Sequence, residues 1–400
     1  MRYLFVIIDG ATDEPSEALD DRTPLEVART PRLDALAQAG RVGMARFAPL
    51  EVGGDDWAWL TGVLGEDPRV VPLPGGAIRA HAWGLGPVPG VPLCLDLLGE
   101  GESDQTQGIA QWCHAISQAE TRALVEAVMS RLRASLLDPC GAWTVSHVRA
   151  GAALLLDQSG ETWDRVTCPG PSAVIGRAWA DLGPTGRRAP AQVLARCMRE
   201  ARAVLGVHEV NAARREQGLR RATLAWVWGG GPAPAPRTPD RRRVFLSESD
   251  DACAVASLLG WTSEPVAPGA LADRTRDAAG HDEVVCVHDA SAARATRDVR
   301  DKVDALERLD ADLLAPALDA LAERAGDDWR VLVTPGRRVE ASTGRVLDAH
   351  VPFVVSGAWI RGVVPRRLTE ADAAEGDLQV DPGHTLLEFV LKSGLTGRRR

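Results

Sequence analysis

Residues 3–9 read YLFVIID, an unbroken apolar run closed by an acid and followed by Gly10. Such a run, without polar alternation, fits a strand buried on both faces, the habit of parallel sheets covered by helices. Asp9 then stands at the carboxyl end of that strand, where open α/β sheets bind ligands. Working outward, PLEVARTPRLDALAQAG (24–40) places Leu25, Val27, Leu33, Leu36 and Ala37 at helical spacing, with Gly40 as a stop. The last third alternates again. LAWVWGGG, RVFLS, EVVCVHD, WRVLVTP and HVPFVVSG are strand candidates, and DACAVASLLG and VRDKVDALERLDADLLAPALDALAERAG are helices between them. Between them, residues 77–221 mix helical stretches such as ETRALVEAVMSRLRASLL with strand-like AALLLD. The expectation is an α/β core built from both ends of the chain, 1–76 and 222–400, with a mostly parallel sheet flanked by helices. An inserted α+β domain occupies 77–221.

The 400 residues are enough for two cores, and the 25% charged, 45% hydrophobic balance is that of a globular chain. A formal charge of −9 argues against a nucleic-acid partner. No stretch has the length of a membrane span, and MRYLFVIIDG lacks the cleavage site of a signal peptide. The seven scattered cysteines form no C-x-x-C pair and read as reduced thiols of a cytoplasmic protein. Asp277 and His281 in DAAGHD have i, i+4 spacing but precede a strand, so they read as a surface loop.

VIIDGATDEP (6–15), TPLEVARTPRLDALAQAGRVG (23–43), VLGEDP (63–68), HEVNAARREQGLRRATLAWVWGGG (208–231) and VPFVVSG (351–357) follow one another in a specific order. In that order the chain resembles the archaeal-type, cofactor-independent phosphoglycerate mutases, a branch of the alkaline phosphatase superfamily. The resemblance implies an alkaline-phosphatase-like core carrying two divalent cations, manganese, magnesium or zinc. It also implies a metal-bound serine that relays phosphate between two hydroxyls. Asp9 matches the first metal ligand. In GGDDWAW (53–59), however, Asp55 stands where the resemblance places the nucleophilic serine, with Asp56 next as a further candidate ligand. Ala293, Arg297, Gly336, Arg337 and Val346 occupy the other ligand positions, and Cys253, Gly76 and Cys94 replace a lysine and two arginines. His208, Asn211, Arg214 and Arg215 are retained, either as substrate contacts or as a packed helix cap with solvated arginines.

These residues imply a phosphoglycerate mutase-like protein without catalysis and without a cofactor. One role is to bind a phosphorylated small metabolite through Arg294, Arg297, Arg337 and Arg338. Another is to pair with an active relative or another protein through Trp57, Trp59 and Trp83. The alternative is an active mutase interconverting 2- and 3-phosphoglycerate in glycolysis. Its metal site, for manganese, magnesium or zinc, would be rebuilt from Asp9, Asp55, Asp56 and Asp289.

Overall fold

The computed structural model describes residues 1–49, 56–101, 108–113, 115–134, 142–163, 166–232, 234–235, 237–295 and 298–392. They fall into two units. One comprises Met1–Val52, Trp57–Pro72 and Pro236–Arg400, the other Gly53–Asp56 and Leu73–Ala235.

The first unit is built on an eight-stranded sheet with YLFVII (strand Arg2–Ile8) inside it. That strand runs parallel to Val284–Asp289 on one side and to Trp329–Thr334 on the other. Asp240–Ser247 and Trp261–Pro265 extend the parallel part, while Val351–Gly357 runs antiparallel to both its neighbours. Two strands, Arg41–Ala45 and Leu378–Val380, complete the far edge. The apolar run is continuous because both faces are covered: Leu4, Val6 and Ile8 pack with Leu33, Leu36, Leu306 and Leu321 of flanking helices, and Phe5 and Ile7 are equally buried.

The second unit carries a five-stranded antiparallel sheet. Val91–Glu100 pairs with Ala110–Trp112, Ala152–Asp157 and Leu224–Trp228. Helices Gln118–Ala134 and Arg188–Val207 contribute Leu124, Val128, Leu194 and Leu205 to its core, along with Trp143, Trp163, Trp226 and Trp228. LAWVW therefore belongs to this sheet and not to the α/β core, so the boundary expected at 222 moves to 236. An apolar run buried on both faces looks the same in either sheet. The DAAGHD segment is likewise the end of a helix, Leu271–His281, and not a loop; its Asp277–His281 pair is solvent-exposed. The thiols are also not uniformly reduced, since Cys197 is disulfide-bonded.

The turn after Asp9 is fixed from below by a buried ion pair. Lys302, fully buried on helix Val299–Arg308, donates to Asp13 Oδ2 at 2.8 Å and to the Val339 carbonyl at 2.5 Å. Asp13 Oδ2 also accepts from the Ala341 N–H at 2.9 Å. Burial pulls the ammonium's pKa down, and the Asp13 carboxylate beside it pulls it back. Removing one partner of such a pair strands the other charge in the interior. Lys302→Met is expected to cost about 3–5 kcal/mol in urea unfolding. Lys302→Met combined with Asp13→Asn should recover part of that loss, whereas simple additivity would contradict the pairing.

Candidate functional site

Four neighbouring strands end side by side. Ser247 registers with His288, His288 with Ile7, and Ile7 with Thr334. Parallel pairing thereby sets Ser247, His288, Asp9 and the Pro335–Arg337 turn in one row along the carboxyl edge of the sheet. Asp9 is 2% exposed. The Arg337 guanidinium grips it as a fork, Nε to Oδ1 at 2.7 Å and Nη2 to Oδ2 at 2.9 Å. On the other side His288 Nε2 lies 3.2 Å from Asp9 Oδ2, and His288 Nδ1 lies 2.8 Å from Ser247 Oγ. A carboxylate only accepts, so Nε2 carries a proton and donates to Asp9. Ser247 Oγ also accepts from the Ser249 N–H at 3.0 Å and keeps one further lone pair and its own proton for the contact with Nδ1.

Burial alone would raise the Asp9 pKa. The Arg337 charge and the hydrogen bonds from His288 and Arg337 outweigh it and hold the carboxyl well below the usual carboxylate range. The connectivity Ser247–His288–Asp9 is that of a Ser–His–Asp relay. Yet Ser247 is 1% and His288 2% exposed, with Phe245 stacked on the imidazole and Trp59 tilted against it. The hydroxyl is walled in, and the row links strand ends to one another.

The described residues at this strand end do not fit a divalent cation. Asp9 spends both oxygens on Arg337 and His288. At Gly336, where the resemblance expects a carboxylate, φ is +72° and a Cβ would lie 2.5 Å from the Trp59 ring. The same indole carries the Arg337 guanidinium at 4.9 Å from its centroid. Ala293 packs against Gly10, whose φ is +71° and whose Cβ would meet it at 2.9 Å. Among the described residues, no group of three or more His, Cys, Asp or Glu is placed to hold a metal ion.

The other candidates scatter. Asp55 and Arg297 lie outside the described residues. Asp56, in the second unit, accepts from the Ser172 N–H at 3.4 Å. Asp289, just before the short helix Ser291–Arg294, accepts from the Ser291 N–H at 2.8 Å. The three described arginines of the expected phosphate-binding set each pair with a different acid: Arg337 holds Asp9, Arg338 pairs with Glu14, and Arg294 pairs with Glu248 at 3.2 Å. His350 pairs with Asp381 at 3.4 Å. Trp59 is buried, which removes it from any exposed tryptophan cluster.

In the second unit, His208 caps the helix Glu209–Glu216 by accepting from the Val210 N–H at 3.2 Å. Buried Asn211 donates to the carbonyls of Leu205 and Ala222 and accepts from the Ala222 N–H, each at 2.8 Å. Buried Arg214 donates to the Arg220 carbonyl at 2.8 Å, the Ala115 carbonyl at 3.2 Å and Glu120 Oε1 at 2.9 Å. Arg215 is exposed and, with His208 and Arg221, lines an open hollow of about 440 Å³. The sequence gives no site role to Ser247 or His288 and places Trp59 only in an interface cluster. The available signal was positional: RVFLS and EVVCVHD both end in a polar side chain at the edge where Asp9 stands.

No family model matches the chain. A 2,3-bisphosphoglycerate-independent phosphoglycerate mutase of Methanothrix thermoacetophila is 27% identical, over 98% of this chain and 100% of its own. Among solved structures, a Pyrococcus horikoshii protein aligns with a TM-score of 0.66 at 18% identity, covering 100% of this chain and 98% of that one. A cofactor-independent phosphoglycerate mutase from Thermoplasma acidophilum aligns with a TM-score of 0.53 at 20% identity, covering 98% and 99%. No helix among the described residues is long and apolar enough to cross a membrane.

A carboxyl whose folded pKa is depressed adds stability above its unfolded pKa of about 4, and that stability is lost as pH falls towards the folded value. Asp9→Asn should therefore be markedly less stable than the parent at neutral pH, with the gap closing progressively below pH of about 4. Chemical denaturation at a series of pH values measures it; a gap that stays constant into acid would contradict an ionised Asp9.

Proposed function

We infer that this chain, a full-length homologue of the archaeal 2,3-bisphosphoglycerate-independent phosphoglycerate mutases with their alkaline-phosphatase-like fold, does not carry out metal-dependent phosphoryl transfer. One observation carries the reading: the carboxylate at the end of the first strand is closed by the Arg337 fork and His288 instead of facing a cation. Fixed guanidinium charge beside Asp9 repels a dication electrostatically, and Trp59 fills the space a second ligand would need. We read the chain as a pseudoenzyme that works in the cytoplasm without a cofactor, as a binding or regulatory protein.

We read Asn211 and Arg214 as packing residues, because every partner described for them lies within their own unit. His208 and Arg215, with Arg221, are the retained positions best placed to meet a small anion such as a phosphorylated metabolite. An active mutase with a metal site rebuilt around Asp9 requires that carboxylate to release Arg337, an ion pair buried on the Asp9 side and costly to open.

The test is a coupled assay of 3-phosphoglycerate to 2-phosphoglycerate conversion with manganese, magnesium, zinc or cobalt. The protein should come from a host lacking its own mutases. No turnover above the blank is expected with any metal. Turnover abolished by Asp9→Ala would overturn the inactive reading and favour the rebuilt site.

A further inference from the structure

We propose that Arg337 is a tethered counter-cation: its guanidinium supplies permanently, from within the chain, the positive charge that Asp9 needs in its buried position. The inference rests on the reading that the family's cations are not used here, and extends it to what holds the sheet edge together. A buried carboxylate cannot stay ionised without a compensating charge and hydrogen bonds. In this row the compensation comes from one side chain, which meets both Asp9 oxygens at 2.7 and 2.9 Å. Three further contacts hold that side chain and its carboxylate in register. The Trp59 ring lies under the guanidinium, 4.9 Å from its centroid to Cζ. The turn at Gly336 packs directly on the same indole. His288, fixed through Ser247, occupies the remaining side of Oδ2.

A second consequence follows from the same contacts. Replacing Arg337 by a neutral imidazole would leave Asp9, His288 Nε2 and the new ring at adjoining strand ends. That is a mixed nitrogen–oxygen donor set suited to a zinc-class cation once the imidazole proton leaves Nε2 for Nδ1, where Ser247 Oγ can accept it. The parent protein should therefore be indifferent to divalent cations, while the variant should depend on them.

Thermal unfolding of the full chain, with millimolar zinc chloride or with EDTA, tests this. The parent midpoint should be the same in both. Arg337→His should be destabilised in EDTA, and zinc should raise its midpoint by at least about 2 °C. Adding Asp9→Asn to that variant should abolish the response. A parent that zinc stabilises or EDTA destabilises would overturn the proposal, as would a folded Arg337→His that ignores zinc. If Arg337→His does not fold, Arg337→Lys and Arg337→Met carry the test. The lysine variant, keeping a cation, must melt well above the methionine variant, and equal midpoints would overturn the proposal. Zinc-stabilised parent protein without mutase turnover would sink this inference alone, while metal-dependent turnover would sink the inactive reading beneath it.

Discussion

A carboxylate buried at the end of a central strand must be neutralised, and everything at the carboxyl edge of the first unit follows from how Asp9 is neutralised. Its strand is covered on both faces, so water is excluded and an unpaired charge there would cost several kcal/mol, on the order of the penalty for any stranded ion. The Arg337 fork answers the charge, and His288 satisfies the remaining lone pair. Ser247 then fixes the imidazole, while Trp59 covers both cation and ring. Parallel register makes this possible, because it brings four strand ends level and places one polar side chain at each.

The proposed exclusion of a cation and the burial of the Ser247–His288–Asp9 row share one physical cause. The side chains that close the site are large, and they interlock. Gly336 is tolerated in the left-handed region because it is glycine, and its lack of a side chain admits the Trp59 ring. The indole in turn gives the guanidinium a flat, electron-rich face. A relay with the connectivity of a catalytic triad is thereby sealed from solvent and serves as a brace between strands. The second unit shows the same economy: Asn211 and Arg214 sit in a segment that carries the resemblance, and their polar atoms bind backbone groups and Glu120 around the helix Glu209–Glu216.

Much of this was legible in the sequence. YLFVIID announced a buried parallel strand with Asp9 at its functional end, and the order of motifs identified the fold. The replacements Ala293 and Gly336–Arg337 pointed to a lost ligand set. What could not be read was contact between residues far apart in the chain. Ser247, His288 and Trp59 carry no local pattern, and sheet register and helix packing bring His288 onto Asp9 and the other two onto His288. The same blindness misplaced LAWVW, since an apolar run does not reveal which sheet will bury it. Of the tryptophans read as an exposed cluster, Trp59 is buried and Trp57 and Trp83 are half-buried.

The most direct measurement is anomalous diffraction from crystals of the unmodified protein soaked in manganese or zinc, with data collected at the metal's absorption edge. The expected result is no anomalous density within bonding distance of Asp9, and Arg337 still forked onto both carboxylate oxygens. A metal peak on Asp9, with Arg337 swung away, would contradict the central claim that the chain carries its own counter-charge.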